Sequence, residues 1–423
     1  MPAHPLQGAP GRARGGASGA RAPVSAGQLA RDLAIRDLSD PAEGQHAMQE
    51  LVRLAVAALA DRWHCEVLCC RGPRIVTVAD NYDNLGYSPG DITRNARYTR
   101  YLDGTRMLRS HSTAMVPPAL RQLAATAGHA RSGSGAVLAG AAGPDGRDRD
   151  VLLACPGICY RRDAIDWQHT GTPHQLDLWR IRQGPGRPLG DADLTEMITV
   201  LLDALVPGRR WRREDRVHPY TRGGCQVDVA LEQGWVEVWE CGVAHPDVLR
   251  RAGLPGSSGL ALGMGLDRLL MLRKGIPDIR LLRSSDPRVA AQMRDLRPYR
   301  PVSAMPAVRR DLSVAVDPGE DDETLGDRVR QALGPDADSV EEVAIVASTP
   351  CSDLPAAALA RLGADPGQRN VLVRVVLRRL DRTLTAAEAN GLRDRIYAAI
   401  HQGTGHQWAA GAGPPALRRR TLA

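Results

Sequence analysis

The chain of 423 residues contains no phenylalanine and a single lysine, Lys274. Basic charge therefore rests on arginine, the pattern of a GC-rich coding sequence. Codon bias does not explain the missing phenylalanine, because eight tyrosines, also AT-rich in their codons, persist beside seven tryptophans. No apolar run approaches the roughly 18 residues that span a bilayer, which argues against a membrane partner. Cys65, Cys69, Cys70, Cys155, Cys159, Cys225, Cys241 and Cys351 form no C-x-x-C pair and no zinc-ligand spacing, so reduced, mostly buried thiols are expected. A Walker A lysine, a G-x-S-x-G elbow and the third glycine of a dinucleotide fingerprint are also absent, which argues against three common nucleotide and hydrolase folds.

What remains is ordinary globular composition, 43% hydrophobic and 24% charged, with a net charge of +7 and a pI near 9.2. A polyanionic partner suits that charge without being required by it. Residues 1–28 are rich in Gly, Ala, Arg and Pro and read as a disordered tail, with an organelle transit peptide as the alternative. Apolar spacing predicts a helix from about Glu43 to Trp63 and an extended stretch over Arg74–Val78. Residues 124–150 read as a surface insertion, and a helix capped by Asp191 or Asp193 runs to Leu205. Period-two alternation over Gln226–Leu231 and Trp235–Trp239 predicts an antiparallel hairpin. Residues 297–306 read as a linker. Beyond it, βαββα order with a fourth strand near Trp408 predicts a ferredoxin-like unit, and Thr385 with Glu388 predicts a helix-capping box.

Four segments carry more polar detail than packing needs: Arg109-Ser-His-Ser-Thr-Ala114; Tyr160-Arg-Arg-Asp163 with His169 and His174-Gln-Leu-Asp177; Trp235-Val-Glu237 with Cys241-Gly-Val-Ala-His-Pro246; and Gly259–Arg268. Singly each has a plain structural reading; an arginine such as Arg109 after an apolar strand is most often a solvated face. In this order they resemble the motifs of class II aminoacyl-tRNA synthetases, and in detail those of phenylalanyl-tRNA synthetase. Gly72-Pro-Arg and Asp80–Leu85 fit its motif 1 region, Tyr160–Asp163 motif 2, and Gly259–Arg268 motif 3. The C-terminal part, from Pro306–Ser313 through Asp381–Leu384, is similar to the ferredoxin-fold anticodon-binding domain of the single-chain, organellar-type enzyme.

The resemblance implies an α+β fold: an antiparallel catalytic sheet flanked by helices over 29–296, a linker over 297–306, an anticodon-binding domain over 307–410 and a tail over 411–423. It implies ATP and Mg²⁺, a tRNA partner, phenylalanine or a related amino acid, a monomer, and a cytoplasmic setting with the mitochondrial matrix as alternative. Arg161 and Arg268 are the implied catalytic residues, gripping the α- and γ-phosphates; guanidinium suits this because it stays charged and binds two oxygens at once. Asp163 would read the adenine amino group, and His169 would lie near the phosphates. His111, Thr113, Gln175 and Asp177 would hold the substrate ammonium, His218, Tyr220 and Ala261 would line the side-chain pocket, and Glu237 is a candidate Mg²⁺ ligand.

The family's F-P-F-T-E-P-S segment appears as His218-Pro-Tyr-Thr-Arg-Gly-Gly224. Glu240 stands where the family has a glycine, and Pro173 where it has an adenine-stacking phenylalanine. Three functions stay open: a phenylalanine–tRNA ligase, including a backup or resistance form whose synthesis draws on no Phe-tRNA; a biosynthetic paralogue that activates a phenylalanine-like amino acid; and an inactive tRNA-binding regulator.

Overall fold

The computed structural model describes residues 23–129, 149–232, 234–302 and 305–405. A seven-stranded sheet dominates, built from β1 (Glu66–Cys69), β4 (Arg149–Ile158), β5 (His174–Gln183), β6 (Trp211–Asp215), β7 (Thr221–Leu231), β8 (Gly234–Ala244) and β9 (Ser258–Gly265). Its order is β1-β4-β5-β9-β8-β7-β6, and only the β1–β4 pair is parallel. A two-stranded ribbon, β2 (Ile75–Thr77) with β3 (Arg106–Leu108), lies apart from it.

Alternation along the strands sends side chains to two different cores. Leu152, Ala154, Leu176, Leu178, Leu260 and Leu262 pack against helices α2 (Ala47–Trp63), α4 (Asp191–Leu205) and α5 (Leu266–Lys274). Their neighbours Leu153, Cys155, Trp179 and Ala261 face the other way, toward Leu120 and Leu123 of α3 (Val116–His129). The second face is therefore partly covered and partly open, and its open part holds the site.

Several sequence expectations shift. The tail expected over 1–28 ends earlier, because helix α1 (Ala26–Ala34) begins inside it, capped by Ser25. Leu29, Leu33 and Ile35 pack on Leu108, Ile158 and Tyr160, burial that the Gly- and Arg-rich composition did not announce. Of the expected insertion, residues 124–129 continue α3, and 130–148 lie outside the described residues. Helix α2 starts at Ala47 rather than Glu43, with His46 as its cap. Gly190 caps α4; Asp193 instead accepts from Gly190 N at 2.9 Å and pairs with Arg187 at 2.7 Å.

The C-terminal unit carries β10 (Val308–Val316), helix α6 (Asp322–Leu333), β11 (Val340–Pro350), β12 (Arg369–Leu377) and helix α7 (Ala386–Ile400). The strands pair antiparallel in the order β10-β12-β11, and the Thr385–Glu388 capping box is present. The fourth strand expected near Trp408 lies outside the described residues. Ile165, from the loop after β4, is embedded in this unit's apolar core and bridges to Val343.

Candidate active site

Strand register sets three rows of side chains on the open face. One reads Gly157–Gln175–Gly265, the next Cys155–Asp177–Gly263–Glu240–Gln226, the third Leu153–Trp179–Ala261–Gly242. Glycine and alanine dominate the middle strand, so the rows form a trough floored by backbone. A Cβ at Gly263 would lie 3.7 Å from the Asp177 carboxylate, so this position bounds the space beside that group.

Asp177 is the electrostatic centre of the trough. It is buried, and its carboxylate accepts from Ser112 Oγ, from Thr113 Oγ1 at 3.2 Å and from Trp179 Nε1 at 3.3 Å. Burial outweighs those bonds and raises its pKa to about 6. Gln175 Oε1 accepts from Ser112 N at 3.2 Å, which fixes the turn holding Ser112 and Thr113. His111 stacks on Tyr87 at 5.8 Å. Burial and then Arg161 lower its pKa to about 3, and its buried Nδ1 has no hydrogen-bond partner among the described residues. Its Nε2 lies 3.3 Å from Asn81 Nδ2, an amide donor, so the neutral imidazole accepts there and carries its proton on Nδ1.

Aromatic rings wall the trough. Tyr82, Tyr87, Tyr220, Trp179 and His218 form a chain of ring contacts with centroids 5.4–6.2 Å apart. Ala261, wholly buried, lies between Trp179 and Gly242 at its floor.

The family described as tRNA synthetases class II core domain (F) matches residues 67–293, more than half of the chain and the whole of this trough. The chain belongs to that family. Among curated relatives, a probable mitochondrial phenylalanine–tRNA ligase of Drosophila melanogaster is 27% identical over 381 residues, covering 77% of this chain and 75% of the relative. A chloroplastic/mitochondrial phenylalanine–tRNA ligase of Arabidopsis thaliana is 26% identical, covering 76% and 68%. The phenylalanine–tRNA ligase alpha subunit of Prochlorococcus marinus (strain MIT 9313) is 30% identical, covering 52% and 58%. A solved pyrrolysyl-tRNA synthetase from Desulfitobacterium hafniense gives a TM-score of 0.39 at 20% identity, covering 56% of this chain and 73% of that one.

Within this class II core, Arg161 leaves the end of β4 and donates through Nε to Ser110 O at 2.7 Å. Its charge acts on Asp177, His111 and Glu240 alike. Arg268 projects from the first turn of α5, donates to Glu237 O at 3.4 Å, and acts on Glu237 and His169. Glu240 in turn adds to the raised pKa of Glu237, so these two carboxylates of β8 lie near one another. His169 pairs with Asp166 at 2.6 Å, which raises its pKa. The Asp163 side chain folds back on Ala164 N at 2.9 Å, while its carbonyl is taken by Arg330 of α6.

His218 Nε2 lies 3.1 Å from Glu240 and Nδ1 lies 3.2 Å from Thr221 Oγ1. Burial, with Glu240 adding to it, raises the Glu237 pKa, and a cation there would relieve that strain. Among the described residues no three His, Cys, Asp or Glu side chains converge with metal-holding geometry. Glu237 thus fits a Mg²⁺ ion that takes most of its ligands from phosphate and water, the usual habit of that cation.

Sequence reasoning placed Thr113 at the ammonium site and passed over Ser112, its neighbour. It also missed Tyr87, Trp179 and Asp267. Asp267 accepts from His174 N at 2.5 Å and lies 3.0 Å from His174 Nδ1, joining α5 to the start of β5. Arg109, which reads as a solvated face, is buried. It donates to Ile158 O at 2.6 Å and Gly72 O at 3.0 Å, and a Cβ at Gly157 would strike it.

Proposed function

We propose that this class II synthetase chain is a phenylalanine–tRNA ligase, activating the amino acid with ATP and transferring it to tRNA. The observation that carries the reading is the aromatic trough over Ala261 and Gly263, with the buried Asp177 carboxylate at one end. An ammonium needs acceptors and opposite charge, and Asp177 and Gln175 supply them beside His111. A flat apolar ring suits walls of Tyr87, Tyr220 and Trp179. The names of the relatives point to the same substrate.

The chemistry asks for no protein nucleophile. A carboxylate oxygen of the amino acid bonds to the α-phosphorus, and pyrophosphate leaves with the electron pair of the broken P–O bond. A ribose hydroxyl of the tRNA end then attacks the adenylate carbonyl and AMP leaves. Arg161 neutralises charge at the α-phosphate and Arg268 at the γ-phosphate, so catalysis is positioning plus electrostatics. Bound Mg²⁺, held through Glu237, would supply further charge neutralisation on the phosphates. Asp163 would meet the adenine amino group, Thr113 would assist Asp177, and His218 and Tyr220 would close the pocket. The unit from 307 to 410 would read the anticodon, and the working form would be a cytoplasmic monomer.

The absence of phenylalanine adds a role: a backup form that can be made when Phe-tRNA is scarce. The test is to supply the chain to cells whose ordinary phenylalanine ligase is inhibited and to measure the charged fraction of tRNA(Phe). Recovery of charging, abolished in Arg268→Ala, is expected. An unchanged charged fraction, with the chain present in quantity, would refute both the ligase and the backup role.

A further inference from the structure

Glu240 sits oddly in an aromatic pocket. It lies in the same cross-strand row as Asp177, with Gly263 between them and no side chain in the gap. Two strand spacings put the two backbones about 10 Å apart. The row therefore presents two carboxylates to one trough: one at the ammonium end, the other against the ring walls. Both carboxylates also raise the pKa of the Tyr220 phenol, after burial and Tyr87.

The surroundings of Glu240 hold it without satisfying it. His218 Nε2 lies 3.1 Å from a Glu240 carboxylate oxygen without hydrogen-bonding geometry, and His218 is itself held by Thr221 Oγ1 at 3.2 Å and by stacking on Tyr220 at 5.5 Å. The imidazole thus flanks the carboxylate on one side without satisfying it. Arg216 and Arg161 contribute charge from nearby, while Arg216 spends its own Nε on Gln226 at 2.8 Å. Glu240 keeps 37% of its side-chain surface open, and its place in the Asp177–Gly263 row puts it on the face that carries the trough. A carboxylate is an acceptor only, and among rings it is satisfied by a donor that arrives with the ligand.

We infer that Glu240, flanked by His218, is a specificity determinant that recognises a hydrogen-bond donor on the substrate ring. The chemical class is an aromatic amino acid of the phenylalanine type whose ring carries an amino group, accepted alongside phenylalanine itself. The inference rests on the adenylation reading of this site and extends it from the ammonium end to the side-chain end.

Pyrophosphate exchange on the full chain separates the two. The probes are L-phenylalanine, 3-amino-L-phenylalanine and 4-amino-L-phenylalanine, each run with wild type, Glu240→Gly and Glu240→Gln. For at least one amino-substituted probe, kcat/KM relative to phenylalanine is expected to equal or exceed one in the wild type. It should fall about tenfold or more in Glu240→Gly, since a pocket built around a polar contact discriminates by that contact. The isosteric Glu240→Gln keeps one acceptor oxygen and should lie between. A ratio that is the same in all three proteins, or a uniform loss for every amino acid, would overturn the inference while leaving the ligase standing. Absence of exchange with any probe would instead bring down the adenylation reading beneath it.

Discussion

Asp177 shows at the scale of one residue how function is set against stability. Its pKa of about 6, raised chiefly by burial, exceeds the ordinary value of 3.8. A carboxyl whose folded pKa is raised destabilises the fold fully above that folded pKa. The cost shrinks as pH falls from about 6 to 3.8 and is gone below. Two units correspond to about 3 kcal/mol at most. Asp177→Asn should therefore be more stable than wild type in urea unfolding at pH 7, with the gain nearly erased at pH 4. The same variant should raise the amino-acid KM at least tenfold through loss of the ammonium's counter-charge. Equal or lower stability at pH 7 would contradict this account.

At this scale the sequence was only partly readable. Asp177, Gln175 and His111 stood out because motif spacing marks them. Ser112 and Trp179 became visible only once β5 was registered against β4 and β9, since a serine beside a threonine or a tryptophan in an apolar strand looks like packing. Arg109 misled for the converse reason. Burial of a guanidinium depends on carbonyls from Gly72 and Ile158 that are far away in the chain.

At the scale of elements, the loop between β4 and β5, which carries the proposed ATP-binding residues, is held by the C-terminal unit. Arg330 of α6 donates to the carbonyls of Asp163 and Ala164. Gly326 approaches so closely that a Cβ would lie 2.7 Å from Asp163 O. Asp327 pairs with Arg100 and with Arg162, each at 3.2 Å, with its side chain almost wholly buried. Removing that carboxylate takes a buried partner from both guanidinium groups, although Asp32 still meets Arg100 at 2.8 Å. Asp327→Ala should cost about 3 kcal/mol in denaturant unfolding. It should also raise the ATP KM, because the freed loop carries Arg161, Asp163 and His169. A loss below about 0.5 kcal/mol, the size of an exposed pair, would show that the loop is held otherwise.

The hairpin β7–β8 and the βαββα order were legible from period-two alternation and capping chemistry. Helix α1 was not, since its two half-buried leucines gain their cover from Leu108, Ile158 and Tyr160 in other elements.

For the whole molecule, composition and fold point to the same reading. A core assembled without one phenylalanine relies on Leu, Val, Met, Tyr and Trp, with Trp179 and Trp239 its largest buried side chains. The class II sheet converts distant segments into one surface: Arg161 from the end of β4, Arg268 from the helix after β9, and Asp177 between them on β5. Sequence order alone could name these residues but not their shared face, which follows from strand alternation and register.

The most direct measurement of that surface is phenylalanine-dependent exchange of labelled pyrophosphate into ATP, without tRNA, for wild type and Arg268→Ala. The account predicts exchange by the wild type and a loss of a hundredfold or more in the variant, about the effect of deleting one charge clamp from a phosphoryl transition state. Exchange in Arg268→Ala at the wild-type rate, or none from the wild type with any amino acid, would contradict it.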